Sequence, residues 1–171
     1  SRIKYIEDIP TLSEIITRYN NSSHIFIEIK SKDKTIIPII KDILIKHNLY
    51  NDKKHETLSL GIPGVSIISF DINQLILSKS ISPNINHGYL VKIAKENDIE
   101  ICKKYGFLGI FPYIKTISTK FVDLALSNNL FIGAWGVMSK NEVIIAKQLG
   151  LSGITVDNPS EVKKQLKRLE E

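Results

Sequence analysis

The stretch VSIISFDINQLIL, residues 65–77, indicates how this chain folds. Its first part, Val65 to Asp71, is apolar at most positions, which is typical of a strand covered on both faces. A helical segment follows at once, and Asp71 is predicted to begin it by accepting a free backbone N–H with its carboxylate. The stretch therefore predicts a strand that leads directly into a helix, the repeating unit of parallel α/β proteins.

The same unit recurs along the chain. The other strand-like runs are Ile25 to Lys30, Gly88 to Val91, Phe107 to Pro112, Leu130 to Val137 and Gly153 to Asp157. Because strands that alternate with helices form parallel sheets with right-handed crossovers, we expect about six parallel strands and about seven helices. This pattern fits an open doubly wound sheet and fits equally about six of the eight units of a barrel.

Several helices have recognisable start and stop signals. Thr11 and Glu14 have the spacing of a capping box, and Ser139 and Glu142 repeat it. Gly150 is predicted to end the second of these helices in a left-handed conformation.

Two further helices are predicted from their first turns. Asn158 and Pro159 begin the last helix, with the proline at the first helical position. Another helix opens near Thr35, where Pro38 is tolerated only in the first turn. The apolar face of that helix is predicted to comprise Ile36, Ile39, Ile40, Ile43 and Leu44.

The chain length suits one domain, so we expect residues 1–171 to form a single domain. A complete eight-stranded α/β barrel usually needs roughly 200 to 250 residues, and this chain has 171. The chain does not open with a signal peptide, and Ser1-Arg2 is not an initiator sequence. We therefore expect the sequence to begin at a cut.

Composition and charge exclude several classes of protein. The net charge is +5, but basic residues are spread along the chain, and the run from Lys163 to Arg168 is expected to be a solvated helix face. Without a basic patch interleaved with aromatic residues, we expect no nucleic-acid partner. No apolar stretch reaches the ~18 residues of a membrane span. Cys102 is the only cysteine and is expected to be buried and inert, which weakly favours a cytoplasmic location.

In parallel α/β folds ligands bind beyond the carboxyl ends of the strands. The first run ends with Glu28 and Lys30, which alternation places on one face, opposite Ile27 and Ile29. A carboxylate there can bind a hard divalent cation, and a lysine can neutralise a phosphate oxygen. The alternative is a surface salt bridge on an edge strand.

Other strand ends offer further candidates. Ser69 could donate a hydrogen bond to a ligand, and Phe70 could form a pocket wall. Trp135 at the end of the fifth run suits a ligand wall, although a packed core tryptophan is nearly as good an interpretation. Asp157 ends the last run and is expected to orient the following loop.

The histidines offer no catalytic pair in the sequence. None of the four has the spacing that metal or general-base chemistry needs, and all are expected to be structural or solvated: His24, His47, His55 and His87. No phosphate-binding glycine loop, nucleophile elbow or zinc motif is present.

Several segments, in this order and spacing, resemble the glycerophosphodiester phosphodiesterase family. They are Ile9 to Leu12 ("IPTL"), Ile27 to Lys30 ("IEIK"), Ile68 to Asp71, Pro112-Tyr113, Phe121-Val122, Gly133 to Val137 and Gly150 to Pro159. The resemblance covers nearly the whole chain.

The resemblance implies a fold and an activity. Members are α/β barrels that use a divalent cation, Ca²⁺ or Mg²⁺, to cut glycerophosphodiesters into glycerol 3-phosphate and an alcohol in lipid metabolism. Glu28 corresponds to a metal ligand, Lys30 to a lysine near the phosphate, and Trp135 to a residue that lines the pocket. Ser69 and Phe70 are predicted to bind substrate as well.

The sequence departs from the family pattern in two places. The "HRG", "ENT", "E-x-D" and "HD" motifs, with two catalytic histidines and two metal carboxylates, precede "IPTL" in the family and are absent here. Gly136 and Met138 replace the threonine and asparagine of "WTVN".

We therefore expect an incomplete parallel (β/α) barrel of TIM type, the C-terminal portion of the domain. No catalytic residue is expected in this chain, and hydrolysis is expected only in the intact protein. Open barrel edges favour a homo-oligomer or a complementing N-terminal segment as partner. Two alternatives remain: a non-catalytic relative that binds a phosphorylated ligand or a partner chain, and a different parallel α/β enzyme.

Overall fold

A computed structural model describes residues 9–50 and 60–167 of the chain. These residues form two compact units, the first comprising residues 9–50 and 60–86 and the second residues 87–167. His55 and the end of the basic run at Arg168 lie outside the described residues. The expectation of a single domain stays a prediction.

The first unit contains two parallel strands and three helices. Its elements are α1 (Leu12–Tyr19), β1 (His24–Glu28), α2 (Ile36–Lys46), β2 (Gly64–Ser69) and α3 (Ile72–Ile81). The two strands pair in parallel, with Ile25 opposite Val65 and Ile27 opposite Ile67. Their carboxyl ends therefore lie at the same edge of the sheet.

The second unit continues the alternation of strand and helix. Its elements are β3 (Asn86–Val91), α4 (Glu96–Tyr105), β4 (Gly109–Pro112), α5 (Thr119–Ser127), β5 (Phe131–Ala134), α6 (Lys140–Gln148), β6 (Gly153–Ile154) and α7 (Pro159–Lys167), with a short 3-10 helix at Ile114–Thr116. Strands β3 to β6 pair in parallel with their neighbours in chain order. Six parallel strands and seven α-helices are thus confirmed within the described residues.

The predicted capping boxes are present. The Glu14 carboxylate accepts the Thr11 N–H at 2.7 Å, and the Thr11 hydroxyl accepts the Glu14 N–H at 3.3 Å. Ser139 and Glu142 make the same reciprocal pair at the start of α6. Gly150 follows the end of α6 with φ of +69°, which confirms its left-handed conformation.

The side chains predicted to begin α3 and α7 also cap them. The Asp71 carboxylate accepts the N–H groups of Asn73 and Gln74 at 2.9 and 3.3 Å, so it satisfies two donors that the first turn leaves free. The Asn158 side chain accepts a backbone N–H in α7, whose first residue is Pro159.

The predicted apolar face of α2 was wrong in part. The buried residues are Ile37, Ile40 and Leu44, whereas Ile39 is 56% exposed and Ile43 is half-buried. Residues 36–40 are apolar on nearly every side of the helix, so spacing alone did not identify the face that packs. Pro38 does lie in the first turn, as expected.

The interior of the second unit explains the inertness of its cysteine. Cys102 is buried, and this burial, together with the nearby Asp98 carboxylate, raises the pKa of the Cys102 thiol to about 12. The thiolate, which is the reactive form, is therefore scarce in the folded protein at neutral pH. Among the described helices, none combines the length and apolar character needed to cross a bilayer.

A pair of substitutions tests the orientation of α2. Ile37→Ala should lower the free energy of unfolding by about 2–5 kcal/mol, because it removes a core side chain that is 1% exposed. Ile39→Ala, two positions along and mostly solvated, should change it by about 1 kcal/mol or less. Denaturant unfolding measures both. Equal losses would mean that a different face of α2 is packed.

Candidate functional site

The predicted carboxylate and lysine lie together at the carboxyl end of β1. Glu28 is the last residue of the strand, and its carboxylate lies 3.5 Å from the ammonium nitrogen of Lys30. The Glu28 side chain is 31% exposed and that of Lys30 is 79% exposed, while Ile29 between them is buried. Because both side chains are at least partly exposed, both charged groups are accessible to a ligand. An exposed ion pair of this kind contributes little to stability.

The end of β2 holds the other candidates of the first unit. Ser69 is buried, and its hydroxyl donates to the carbonyl oxygen of Ile29 at 2.6 Å and accepts the N–H of Asp71 at 3.0 Å. Phe70, the next residue, is exposed. Phe70 is thus available as a pocket wall, whereas the Ser69 hydroxyl is bonded to backbone groups of the protein.

A groove of about 500 Å³ lies at the same end of the first unit. The loop after β1 contributes Lys32 and Lys34, and the start of α3 contributes Asp71, Asn73 and Gln74. Two exposed lysines in a groove with polar walls favour an anionic ligand over a neutral apolar one.

In the second unit, Trp135 lies across the ends of three strands. It follows β5, and its backbone N–H donates to Pro112 at the end of β4 at 3.1 Å. Its indole N–H donates to the carbonyl oxygen of Val91 at the end of β3 at 3.0 Å. The indole packs against the Tyr113 ring, with ring centroids 4.7 Å apart. Trp135 is half-buried, so one part of its ring packs against the protein and the rest is exposed at this edge.

The glycines that flank Trp135 make room for aromatic rings. A Cβ atom at Gly133 would lie 2.5 Å from the Phe111 ring, and one at Gly136 would lie 2.5 Å from the Tyr113 ring. Gly136 also has φ of +76°, which side chains rarely tolerate. The absence of a side chain at Gly136 therefore leaves room for the Tyr113 ring that contacts Trp135, and its absence at Gly133 leaves room for the Phe111 ring.

The loops after β5 and β6 border a cavity of about 190 Å³ in the second unit. Met138, at the family's asparagine position, and Asp157 line it, and both are exposed. The Glu142 carboxylate accepts the N–H groups of Met138 and Ser139, and its oxygen lies 3.5 Å from the Lys115 nitrogen. The pKa of the Glu142 carboxyl is lowered, chiefly because its carboxylate accepts the N–H of Met138. Glu142 is therefore ionised at neutral pH.

The described histidines lie away from the carboxyl ends of the strands. His24 is the first residue of β1 and bonds to Gly61 and Ser66. His47 lies at the end of α2 and bonds to the hydroxyl of Ser13 in α1, and His87 is buried near the start of β3. Among the described residues, no group of three histidine, cysteine, aspartate or glutamate side chains could hold a metal ion. Glu28 can supply one ligand, but these residues do not complete a divalent-cation site.

Tyr113 was missed as a candidate by the sequence analysis. It directly follows Pro112 at the end of β4, and its ring supports the indole of Trp135. The rule that selected Trp135, an aromatic residue just after a strand, would also have selected Tyr113. The position of each residue after its strand does not by itself predict that the rings of Tyr113 and Trp135 are in contact.

The sequence profile of the glycerophosphoryl diester phosphodiesterase family matches residues 1–161. The chain belongs to this family. A search of curated proteins found no match. Family membership confirms the resemblance that the sequence predicted.

Several solved structures have a fold similar to that of this chain. They include a protein from Silicibacter pomeroyi DSS-3 named a glycerophosphoryl diester phosphodiesterase, with 17% identity and a TM-score of 0.79 over 94% of this chain and 57% of that one. An Oleispira antarctica phosphodiesterase in complex with the product sn-glycerol-3-phosphate has 18% identity and a TM-score of 0.77 over 93% of this chain and 62% of that one.

A glycerophosphodiester phosphodiesterase from Parabacteroides distasonis ATCC 8503 has 18% identity and a TM-score of 0.74 over 95% of this chain and 66% of that one. At these identities the likeness shows the fold, which is an α/β fold of the incomplete parallel barrel type that the sequence predicts. The chain spans 57% to 66% of the length of these three structures.

A glycine pair tests the packing around Trp135. Gly136→Ala and Gly150→Ala each place a side chain at positive φ, at φ of +76° and +69°, which costs roughly 1–2 kcal/mol of stability. Only the Gly136 variant also forces the Tyr113 ring aside, because nothing lies within 4 Å of a Cβ at Gly150. Gly136→Ala should therefore lose more stability and shift the fluorescence of Trp135, the only tryptophan of the chain. An unchanged emission spectrum would contradict the proposed contact.

Proposed function

We propose that this chain forms part of an enzyme that hydrolyses glycerophosphodiesters to glycerol 3-phosphate and an alcohol with a divalent cation, Ca²⁺ or Mg²⁺. The observation that carries the proposal is the accessible pair of Glu28 and Lys30 at the carboxyl end of β1. In a parallel α/β fold this is the edge where ligands bind. Family membership and the product complex of the Oleispira antarctica relative support the same chemistry.

The two charged groups have distinct proposed roles. Glu28 would supply one carboxylate ligand of the cation, and the remaining ligands would come from residues outside those described here. The bound cation would polarise the phosphodiester and stabilise charge on its oxygens. Lys30 would neutralise a phosphate oxygen directly, because its ammonium group is mostly exposed and close to Glu28.

Each of two aromatic residues is proposed to contribute a substrate-binding surface in its own unit. Phe70 is exposed just after β2, and the half-buried ring of Trp135 lies at the ends of β3, β4 and β5. Rings of this kind would pack against the carbon atoms of the glycerol or of the leaving alcohol.

Proton transfer needs further groups. Hydrolysis of the diester requires a base for the nucleophile and an acid for the leaving alcohol. No described histidine lies at the carboxyl end of a strand, so we propose that a histidine pair from an upstream or complementing N-terminal segment supplies them. Association of two chains is the other proposed way to complete the site.

One observation favours a second candidate function. Because the described residues contain no group of three metal-binding side chains, the chain could be a non-catalytic relative that binds a phosphorylated ligand or a partner chain. The lysines of the groove beside β1 suit such an anion. The two candidates differ in whether the diester bond is broken.

Hydrolysis of glycerophosphocholine distinguishes these candidates. We would assay release of glycerol 3-phosphate by this chain and by a form that also contains its natural upstream sequence, with Mg²⁺, with Ca²⁺ and with EDTA. The longer form should hydrolyse the diester only with the cation, and the chain alone should be inactive. A longer form that binds glycerol 3-phosphate without any turnover would establish the binding function instead.

A substitution in the active form tests the role of Glu28. Glu28→Gln should abolish activity, and excess cation should restore it poorly, because the amide is a much weaker ligand than the carboxylate. Glu100→Gln is a matched control, since Glu100 is also exposed and pairs with a lysine at 3.3 Å. Full activity of the Glu28 variant would remove Glu28 from the mechanism.

A further inference from the structure

The buried hydroxyl of Ser69 joins the ends of both strands of the first unit. It donates to the carbonyl oxygen of Ile29 at 2.6 Å and accepts the backbone N–H of Asp71 at 3.0 Å. A carbonyl can only accept and an N–H can only donate, so these two partners fix the direction of the hydroxyl proton. Ser69 therefore bonds to the residue that lies between Glu28 and Lys30.

These bonds hold the peptide groups of Ile29 from both sides. The Ile29 N–H donates to the carbonyl oxygen of Ile68 at 2.9 Å, as the last backbone bond of the β1–β2 ladder. Its carbonyl oxygen accepts from the side chain of Ser69. Because the Ile29 side chain is also buried, its backbone has little freedom to rotate.

The same network is anchored to α3. Asp71, whose N–H donates to Ser69, accepts the N–H groups of Asn73 and Gln74 in the first turn of that helix. The Ser69 hydroxyl is thus fixed by a strand on one side and by a helix on the other. Because the Ser69 side chain is held in one orientation, it can hold the backbone of Ile29 in one conformation.

We propose that Ser69 is a positioning residue of the candidate site, which acts through Glu28 and Lys30 and does not contact the substrate. The inference rests on the proposed function and replaces the direct substrate contact predicted for Ser69 from the sequence. By holding Ile29, Ser69 keeps the two charged side chains on one side of the chain, 3.5 Å apart. Groups that orient a metal ligand typically change metal affinity or activity by about 10- to 100-fold when removed.

Ser66 provides a matched control on the same strand. It is also buried in β2, and its hydroxyl also bonds to β1, but to the His24 ring at 2.9 Å, at the opposite end of the strand. Ser66→Ala removes the one hydrogen bond to His24 and Ser69→Ala removes two, so both variants should lose stability, and the Ser69 variant should lose more. Only the Ser69 variant should affect the segment from Glu28 to Lys30.

The first measurement is amide hydrogen exchange by NMR in this chain. Ser69→Ala should accelerate exchange at the backbone N–H groups of Asp71 and Ile29. The Asp71 N–H loses its acceptor, and the Ile29 residue loses the hydrogen bond that held its carbonyl oxygen. Ser66→Ala should leave both at the wild-type rate once global stability is taken into account. Equal exchange in the two variants would overturn the inference.

The second measurement is hydrolysis of glycerophosphocholine by the longer form, as a function of Mg²⁺ and Ca²⁺ concentration. Ser69→Ala should raise the cation concentration for half-maximal activity by about 10-fold or more, while Ser66→Ala should not. Ser69→Thr, which keeps the hydroxyl, should restore most of the affinity for the cation.

The outcomes separate the two proposals. If the wild-type longer form hydrolyses the diester and the Ser69 and Ser66 variants respond to the cation alike, the inference is wrong and the proposed function stands. If the wild-type form shows no cation-dependent hydrolysis at all, the proposed function fails, and the role of Ser69 in the reaction fails with it.

Discussion

The carbonyl groups at the carboxyl ends of the parallel strands need hydrogen-bond donors, and this requirement organises both units. At the end of a strand, some carbonyl oxygens have no partner on the neighbouring strand. A buried carbonyl oxygen of this kind costs free energy unless a hydrogen-bond donor reaches it. In the first unit the Ser69 hydroxyl reaches Ile29. In the second, the carbonyl oxygen of Val91 accepts the backbone N–H of Tyr113, and the indole N–H of Trp135 supplies it with a second donor. Side chains thus complete the backbone bonding at the carboxyl ends of the strands.

This arrangement separates the buried residues that bond to the backbone from the residues that remain accessible. Ser69 is buried and bonded to backbone groups, whereas Glu28 and Lys30 remain accessible. The same division applies in the second unit, where the indole nitrogen of Trp135 is bonded while its ring remains half-exposed. Because loops after strands are mobile unless such bonds fix them, each unit holds an accessible side chain in a defined position.

The sequence predicted the elements well because each depends on local signals. Strands, capping boxes and the left-handed Gly150 are encoded by neighbouring residues, and the family was recognisable from short strand-end segments. The contact between Ser69 and Ile29 joins residues 40 positions apart, and no local pattern specifies it. The buried face of α2 was also ambiguous, because isoleucines occupy several of its sides and only tertiary packing selects Ile37 over Ile39.

The shielded thiol of Cys102 has a practical consequence for spectroscopy. With the pKa of that thiol near 12 and no other cysteine in the chain, a second cysteine placed on the surface would be the only one that a maleimide probe labels readily. Spin labels or fluorophores could therefore be attached singly beside β1 without first removing the native sulfur. Distances from such a probe to the indole of Trp135 would report the geometry between the two units in solution.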